Sequence, residues 1–390
     1  MTSKQEIFTY VFVRNKSDRE FLGSIITMYD KNSRWSNVLM RALVLVGGLF
    51  LRPRKNTVKC FFWGDKYHEV ILGMDKSEIC VVGGPKQLRF CVLNGIKFVP
   101  CMSYWAKLKK GMLGELNQSD FEDDGKELCD VLGGLAVDGA ALVVDNDSLP
   151  MQRLLIHSAR MAGIKSYCIQ HGLFQKSSPH YLLDGAYSDG VFVYDDIQRA
   201  VFLEAGIQFS KLHVSGFYKR AYTPSRSLTL GFQGRKICFL GQPWYKYGGE
   251  VSAKYLELVS RLIAGLEKLG VVCVYKPHPW EIGAPYLKDI NHLFFNGMEA
   301  AIEEFDVFFS MTSTALIECG RSGRVSIQVY DDCFKCDNFS ELGYCYTLRS
   351  DNLLKVEVLE KILTSEPVAV AMGGGGDFLE NFRAVIYGVK

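Results

Sequence analysis

Val271-Val272-Cys273-Val274-Tyr275-Lys276-Pro277-His278-Pro279-Trp280-Glu281 joins two kinds of sequence. The β-branched run Val271 to Tyr275 reads as a strand buried on both faces, the pattern of a parallel sheet. Lys276 and the residues after it place a histidine, held between two prolines, at the carboxyl end of that strand, where open α/β sheets bind ligands. The prolines fix the backbone, so little ordering entropy is lost on binding. An imidazole at this position can donate a hydrogen bond to a phosphate oxygen. Lys276 adds positive charge, Pro279 belongs to the same rigid turn, and Glu281 can accept from a ribose hydroxyl. Standing alone, the motif would read as a rigid turn with a solvated histidine.

Working outward, a regular alternation surrounds it. Lys236 to Leu240 reads as a strand, Ser252 to Leu269 as a helix, Val307 to Ser310 as a strand, Thr314 to Ser322 as a helix and Val325 to Val329 as a strand. Such a series implies a parallel sheet covered by helices. The strand Val307 to Ser310 runs into Ser310-Met311-Thr312-Ser313-Thr314, and the next helix opens at once with Glu318 in its first turns. Hydroxyls and unsatisfied backbone N–H groups at a helix start make an anion site. Simple N-capping accounts for one of these hydroxyls but poorly for four. Gly241-Gln242-Pro243 occupies the corresponding loop after the first strand of the series and is expected to face the gap between domains.

An earlier series covers the first half. Ile7 to Val13, Val58 to Trp63, Ile79 to Val82, Ala141 to Val144, Ser166 to Ile169 and Gly190 to Tyr194 read as strands. Met151 to Ala162 carries small and apolar residues at helical spacing and ends at Gly163, which makes Ala141 to Ile169 a βαβ unit. Strand-end chemistry recurs here. Gln170-His171-Gly172 exposes an imidazole suited to proton transfer, with mere binding or capping as the alternative. Asp145-Asn146-Asp147 offers two carboxylates that could orient His171, act as base or act as nucleophile. Asp147 also reads as an N-cap for the helix after Pro150. The acidic run Asp120 to Gly125 reads as a solvated loop.

The chain has 390 residues, which implies two domains. Tyr222 to Gly234, rich in Ser, Thr, Pro and Gly, is the expected connector. Residues 1–230 then form an acceptor-side domain, residues 231–370 a nucleotide-binding domain, and residues 371–390 a final helix after Gly373 to Gly376, expected to pack back on the first. A formal charge of +2, from 45 basic and 43 acidic residues, argues against a nucleic-acid partner. Twelve irregularly spaced cysteines read as reduced thiols, and the Cys333–Cys336 pair lacks the partners of a zinc site. No signal-peptide pattern opens the chain, so a cytoplasmic location is expected. Ala42 to Leu51 has about half of the roughly 20 apolar residues that a membrane span needs. It reads first as a buried helix with a basic surface turn. Flanked by Arg41, Arg52, Arg54 and Lys55, it reads second as a segment resting on the inner face of an anionic membrane.

The Gln170-His171-Gly172 turn, the Lys276-Pro277-His278-Pro279 turn and the Ser310 to Ser313 loop together resemble bacterial GT-B enzymes of surface-polysaccharide synthesis, over about Ala141 to Gln328. Two branches share the pattern: transferases of CMP-activated ulosonic acids of the Kdo and sialic acid type, and CDP-glycerol glycerophosphotransferases. The resemblance implies two doubly wound Rossmann-like domains facing a cleft. It implies that His278, Ser310, Thr312 and Ser313 hold the donor phosphate, with Glu318 or Glu281 near the ribose. In the glycerophosphotransferases, the residue matching His171 is the base. In the sialyltransferase-like branch, an acidic motif that Asp123-Asp124-Gly125 spells supplies it.

The expected function is glycosyl transfer from a nucleotide-sugar donor, CMP-linked, to a glycan or lipid-linked glycan of lipopolysaccharide or capsule, with no cofactor or metal required. The competing expectations are glycerol phosphate transfer from CDP-glycerol, nucleotide-sugar epimerisation, and nucleotide binding without catalysis.

Overall fold

The structure is a computed structural model that describes residues 44, 46–101, 118–146, 150–170, 172–173, 187–229, 231–244, 249–334, 336–369 and 377–388. The expected strand Ile7 to Val13 lies outside the described residues. The chain divides into two compact units. The first comprises Met1–His171, His180–Tyr218 and Gly373–Lys390, and the second Gly172–Pro179 and Lys219–Met372.

The first unit is built on seven parallel strands: β1 Val58–Trp63, β2 Ile79–Gly83, β3 Lys97–Pro100, β4 Ala136–Val144, β5 Lys165–Ile169, β6 Gly190–Val193 and β7 Leu212–Val214. Their order in the sheet is β3-β2-β1-β4-β5-β6-β7. The strand interiors are apolar on both faces, as helix-covered parallel strands must be. The helix Phe378–Tyr387 belongs to this unit, and its Phe382 ring lies 5.0 Å from Phe192 and 6.0 Å from Phe62. Phe378, Phe382 and Ile386 recur on one helix face and enter the same core as Phe62, Ile71 and Phe98.

The second unit holds five parallel strands: β8 Ile237–Leu240, β9 Cys273–Lys276, β10 Val307–Ser310, β11 Val325–Tyr330 and β12 Tyr346–Arg349. Their order is β12-β11-β10-β8-β9. The core packs Phe239, Tyr275, Phe309 and Ile327 against the helix Gly249–Lys268 through Tyr255, Leu258 and Leu262. β9 begins later than its apolar run because Val271 is spent on closing that helix: its N–H donates to the Leu266 carbonyl.

Two expectations are corrected. The acidic run Asp120 to Gly125 is not a loop but part of the helix Gln118–Leu135. Asp124 is buried on the same face as Leu128, Leu132 and Leu135, at helical spacing. Helical period outweighs acidic composition there. The turn of helix at residues 46–51 is also not a buried helix, because Leu49 is 71% and Phe50 85% exposed. No helix among the described residues is long and apolar enough to cross a membrane.

Candidate functional site

In each sheet the strand order reverses beside the first strand of the unit, and at such a point the loops after two neighbouring strands splay apart and open a crevice. In the second sheet the reversal lies between β8 and β10. The loops concerned are those after β8, with Gln242, and after β10, with Thr312 and Ser313. The His278 turn follows β9, on the other side of β8.

Gln242 ties these loops together. Its Nε2 donates to Thr312 Oγ1 at 2.6 Å and its Oε1 accepts from Thr312 N at 2.8 Å. Having accepted that bond, the Thr312 hydroxyl keeps its proton as a donor. Ser313 Oγ likewise accepts from Ala315 N at 3.2 Å. Ser310 is different: it is fully buried, and its Oγ donates to the Leu240 carbonyl at 2.9 Å, which ties β10 to β8. The helix that follows, Ala315–Arg321, has seven residues, so its dipole is small and the hydroxyl donors dominate. Glu318 is engaged by the ammonium of Lys219 at 2.8 Å, and the Lys219 carbonyl accepts from Arg321 Nη1 at 2.7 Å. Gly172, part of this unit, stands close to the same loop, since a Cβ on it would lie 3.3 Å from Thr314 Oγ1.

The His278 turn is held from beneath by Glu281. This carboxylate has no exposed surface; Oε2 accepts from His278 N at 2.6 Å, and Oε1 accepts from Tyr275 Oη at 2.7 Å and Tyr286 Oη at 2.5 Å. Tyr275 Oη lies 2.7 Å from Tyr255 Oη, which in turn accepts from Gln242 N at 3.0 Å. Burial raises the Glu281 pKa, against the lowering influence of the Tyr286, His278 and Tyr275 donors. Burial likewise pushes both tyrosines up. Only glycine fits at 241, because a Cβ there would collide with the Glu281 carboxylate and lie 2.6 Å from Tyr275 Oη. One buried chain of hydrogen bonds therefore connects the loops after β8 and β9.

This arrangement also sets the histidine's tautomer. His278 Nδ1 accepts from Trp280 N at 3.1 Å and so keeps its lone pair, which leaves the ring proton on Nε2. The imidazole thereby presents Nε2–H as its donor. Pro279 opens the short turn Pro279–Glu281 that makes this possible, and Lys276 ends β9.

In the first sheet the reversal lies between β1 and β4. A cleft of roughly 160 Å³ opens there, lined by Trp63, Gly64, Asp65, Lys66, Gly83, Gln87 and Asp145. Asp145 Oδ1 accepts from Gln152 Nε2 at 3.0 Å, while its Oδ2 stands 4.0 Å from Lys66 Nζ. Asp65 Oδ1 accepts from Gln87 Nε2 at 2.9 Å. Sequence reasoning passed over Asp65 and Lys66. A Gly-Asp-Lys turn directly after the first strand was the available signal. His171 and Asp147 lie outside the described residues.

No family profile and no curated protein matches the chain. Solved structures do. The chain is similar to HepE of Anabaena in complex with UDP and glucose, with a TM-score of 0.53 and 10% identity over 85% of this chain and 99% of that one. It is similar to the UDP-GlcNAc 2-epimerase of Methanocaldococcus jannaschii, with a TM-score of 0.53 and 11% identity over 84% and 99%. MnaA of S. aureus, solved with UDP, gives a TM-score of 0.54 and 12% identity over 85% and 96%. At such identities the likeness is one of fold. The chain has the α/β architecture of GT-B proteins, with two parallel Rossmann-like sheets of seven and five strands.

Proposed function

We propose that this chain is an enzyme that binds a nucleotide-activated sugar at the reversal point of its second sheet and transfers the sugar to a glycan acceptor. One observation carries the reading: His278 is held as an Nε2–H donor at the end of β9, and a hydrogen-bonded chain through Gln242 in the β8 loop links its turn to the β10 loop that carries the Thr312 and Ser313 hydroxyls. Preorganised hydrogen-bond donors on a rigid backbone suit a phosphate, since little reorganisation is needed when it binds. Gln242 and Glu281 act in this reading by positioning the donors, and Ser310 by joining their strands. Lys276 adds attraction for the phosphate.

Asp145, Asp147 and His171 are the assigned candidates for the base that takes the acceptor's proton. The base of the donor is cytidine by the sequence resemblance. UDP in the HepE and MnaA structures favours uridine. The narrower proposal of a CMP-linked nonulosonic acid or Kdo-type donor, with a lipopolysaccharide or capsule acceptor, rests on the resemblance alone. A second reading, epimerisation of a nucleotide sugar, is favoured by the likeness to the M. jannaschii epimerase.

A donor panel decides between them. CMP-sialic acid, CMP-Kdo, CDP-glycerol and UDP-GlcNAc are each incubated with the protein, with and without a lipid-linked or lipopolysaccharide acceptor, and nucleotide release is measured. Transfer predicts acceptor-dependent release from one sugar donor. Epimerisation predicts sugar isomerisation without acceptor. Release from CDP-glycerol alone would move the assignment to glycerol phosphate transfer, and no turnover of any donor would contradict an enzymatic role.

A further inference from the structure

The turn of helix at residues 46–51 is reversed relative to an ordinary surface helix. Its inward side is glycine: a Cβ on Gly47 would lie 2.8 Å from the Leu88 side chain, and one on Gly48 would lie 3.0 Å from the Pro100 ring. Val44 is buried at one end and Leu51 packs against the core at the other, so the turn is anchored. Its large apolar residues point outward. Val46, Leu49 and Phe50 share one helix face and are 51%, 71% and 85% exposed. Exposing this much contiguous apolar surface next to a well-anchored backbone is costly in water unless something covers it.

Charge indicates what covers it. Between Lys31 and Gly64 the sequence has seven basic residues and no acidic one. Arg52, Arg54 and Lys55 directly follow the apolar face and are exposed, while Pro53 between them is buried and holds the segment down. An apolar tip with cations just behind it matches an anionic lipid surface, where side chains enter the acyl boundary and long basic side chains reach the headgroups. A second copy of the chain is a poor occupant, because a two-fold contact through this face would bring the same basic run against itself.

We propose that this face docks the protein on anionic lipid. The inference stands on the surface alone and is tested without any donor, so its failure and that of the glycosyl-transfer reading are separable. The full-length protein is sedimented with vesicles of phosphatidylglycerol and phosphatidylcholine, and with vesicles of phosphatidylcholine alone.

The wild type is expected to sediment with the anionic vesicles only. It is expected to leave them as salt rises from about 0.1 M to about 1 M, which shortens the screening length from about 10 Å to about 3 Å. Replacing Arg52, Arg54 and Lys55 by serine should weaken partitioning roughly a hundredfold, at about fivefold per cation. Leu49→Ser with Phe50→Ser should abolish it at any salt, with the thermal midpoint of both variants unchanged. Absence of wild-type binding to anionic vesicles, or equal binding by the folded variants, overturns the proposal. So does a dimer that the Leu49→Ser, Phe50→Ser variant dissolves while vesicle binding persists.

Discussion

Glu281 is the residue on which the second-unit site turns. Three donors, His278 N, Tyr275 Oη and Tyr286 Oη, converge on one buried carboxylate. Removing it takes a hydrogen bond from each of the three, at about 1 kcal/mol per bond. Glu281→Ala is therefore expected to destabilise the protein by about 3 kcal/mol in denaturant unfolding. Tyr286→Phe, which deletes a single donor, should cost only about 1 kcal/mol. Equal, small losses for both would show that the carboxylate does not organise the turn. Its importance was not legible beforehand. From the order of residues, Glu281 is a polar side chain three positions after a histidine, available to a ribose. Its three partners lie within six residues of it in the chain, but the folded turn that makes them converge, and the link from Tyr275 to Tyr255 on the helix Gly249–Lys268, do not follow from residue order. The partner of Ser310 is likewise not read from residue order, since the pairing of β10 with β8 turns its hydroxyl toward Leu240.

At the scale of elements, the segment Tyr222 to Gly234 is no slack connector. Tyr222 Oη and Ser225 N donate to Glu303 Oε2 at 2.8 and 3.0 Å, the Ser225 hydroxyl donates to Oε1, and Arg226 pairs with Asp306 at 2.9 Å. The Ser225 side chain and backbone, followed by Tyr222, pull the Glu303 carboxyl down to about 2. In the unfolded chain it titrates near about 4.3. The folded value is the lower one, so this group adds stability above about pH 4.3, which is lost as pH falls toward about 2. Across that interval the thermal midpoint of the wild type should fall more steeply than that of Glu303→Gln. Parallel curves would contradict the contact. Elements were legible where burial is complete. Ile237 to Leu240 and Val307 to Ser310 are apolar on both faces and read as strands without help. Edge strand Tyr346–Arg349 mixes exposed and buried residues, and the helix containing Asp120 to Gly125 starts in polar residues, so both lack that signal.

Over the whole molecule, two parallel sheets each reverse their strand order once, and chemistry-bearing residues gather at both reversals. In the first sheet these are Asp65, Lys66 and Asp145, and in the second Gln242 and Thr312. Alternating strand and helix patterns predicted this architecture, because βαβ connectivity leaves few topologies for such a series. The central proposal is nucleotide binding at the reversal point of the second sheet. Calorimetric titration of the full-length protein with CMP and with UDP tests it most directly, using wild type and His278→Ala. One of the two nucleotides is expected to bind, and loss of a hydrogen bond to a charged phosphate should weaken it by about 10- to 100-fold in the variant. Binding of neither nucleotide, or equal affinity in wild type and His278→Ala, would contradict it.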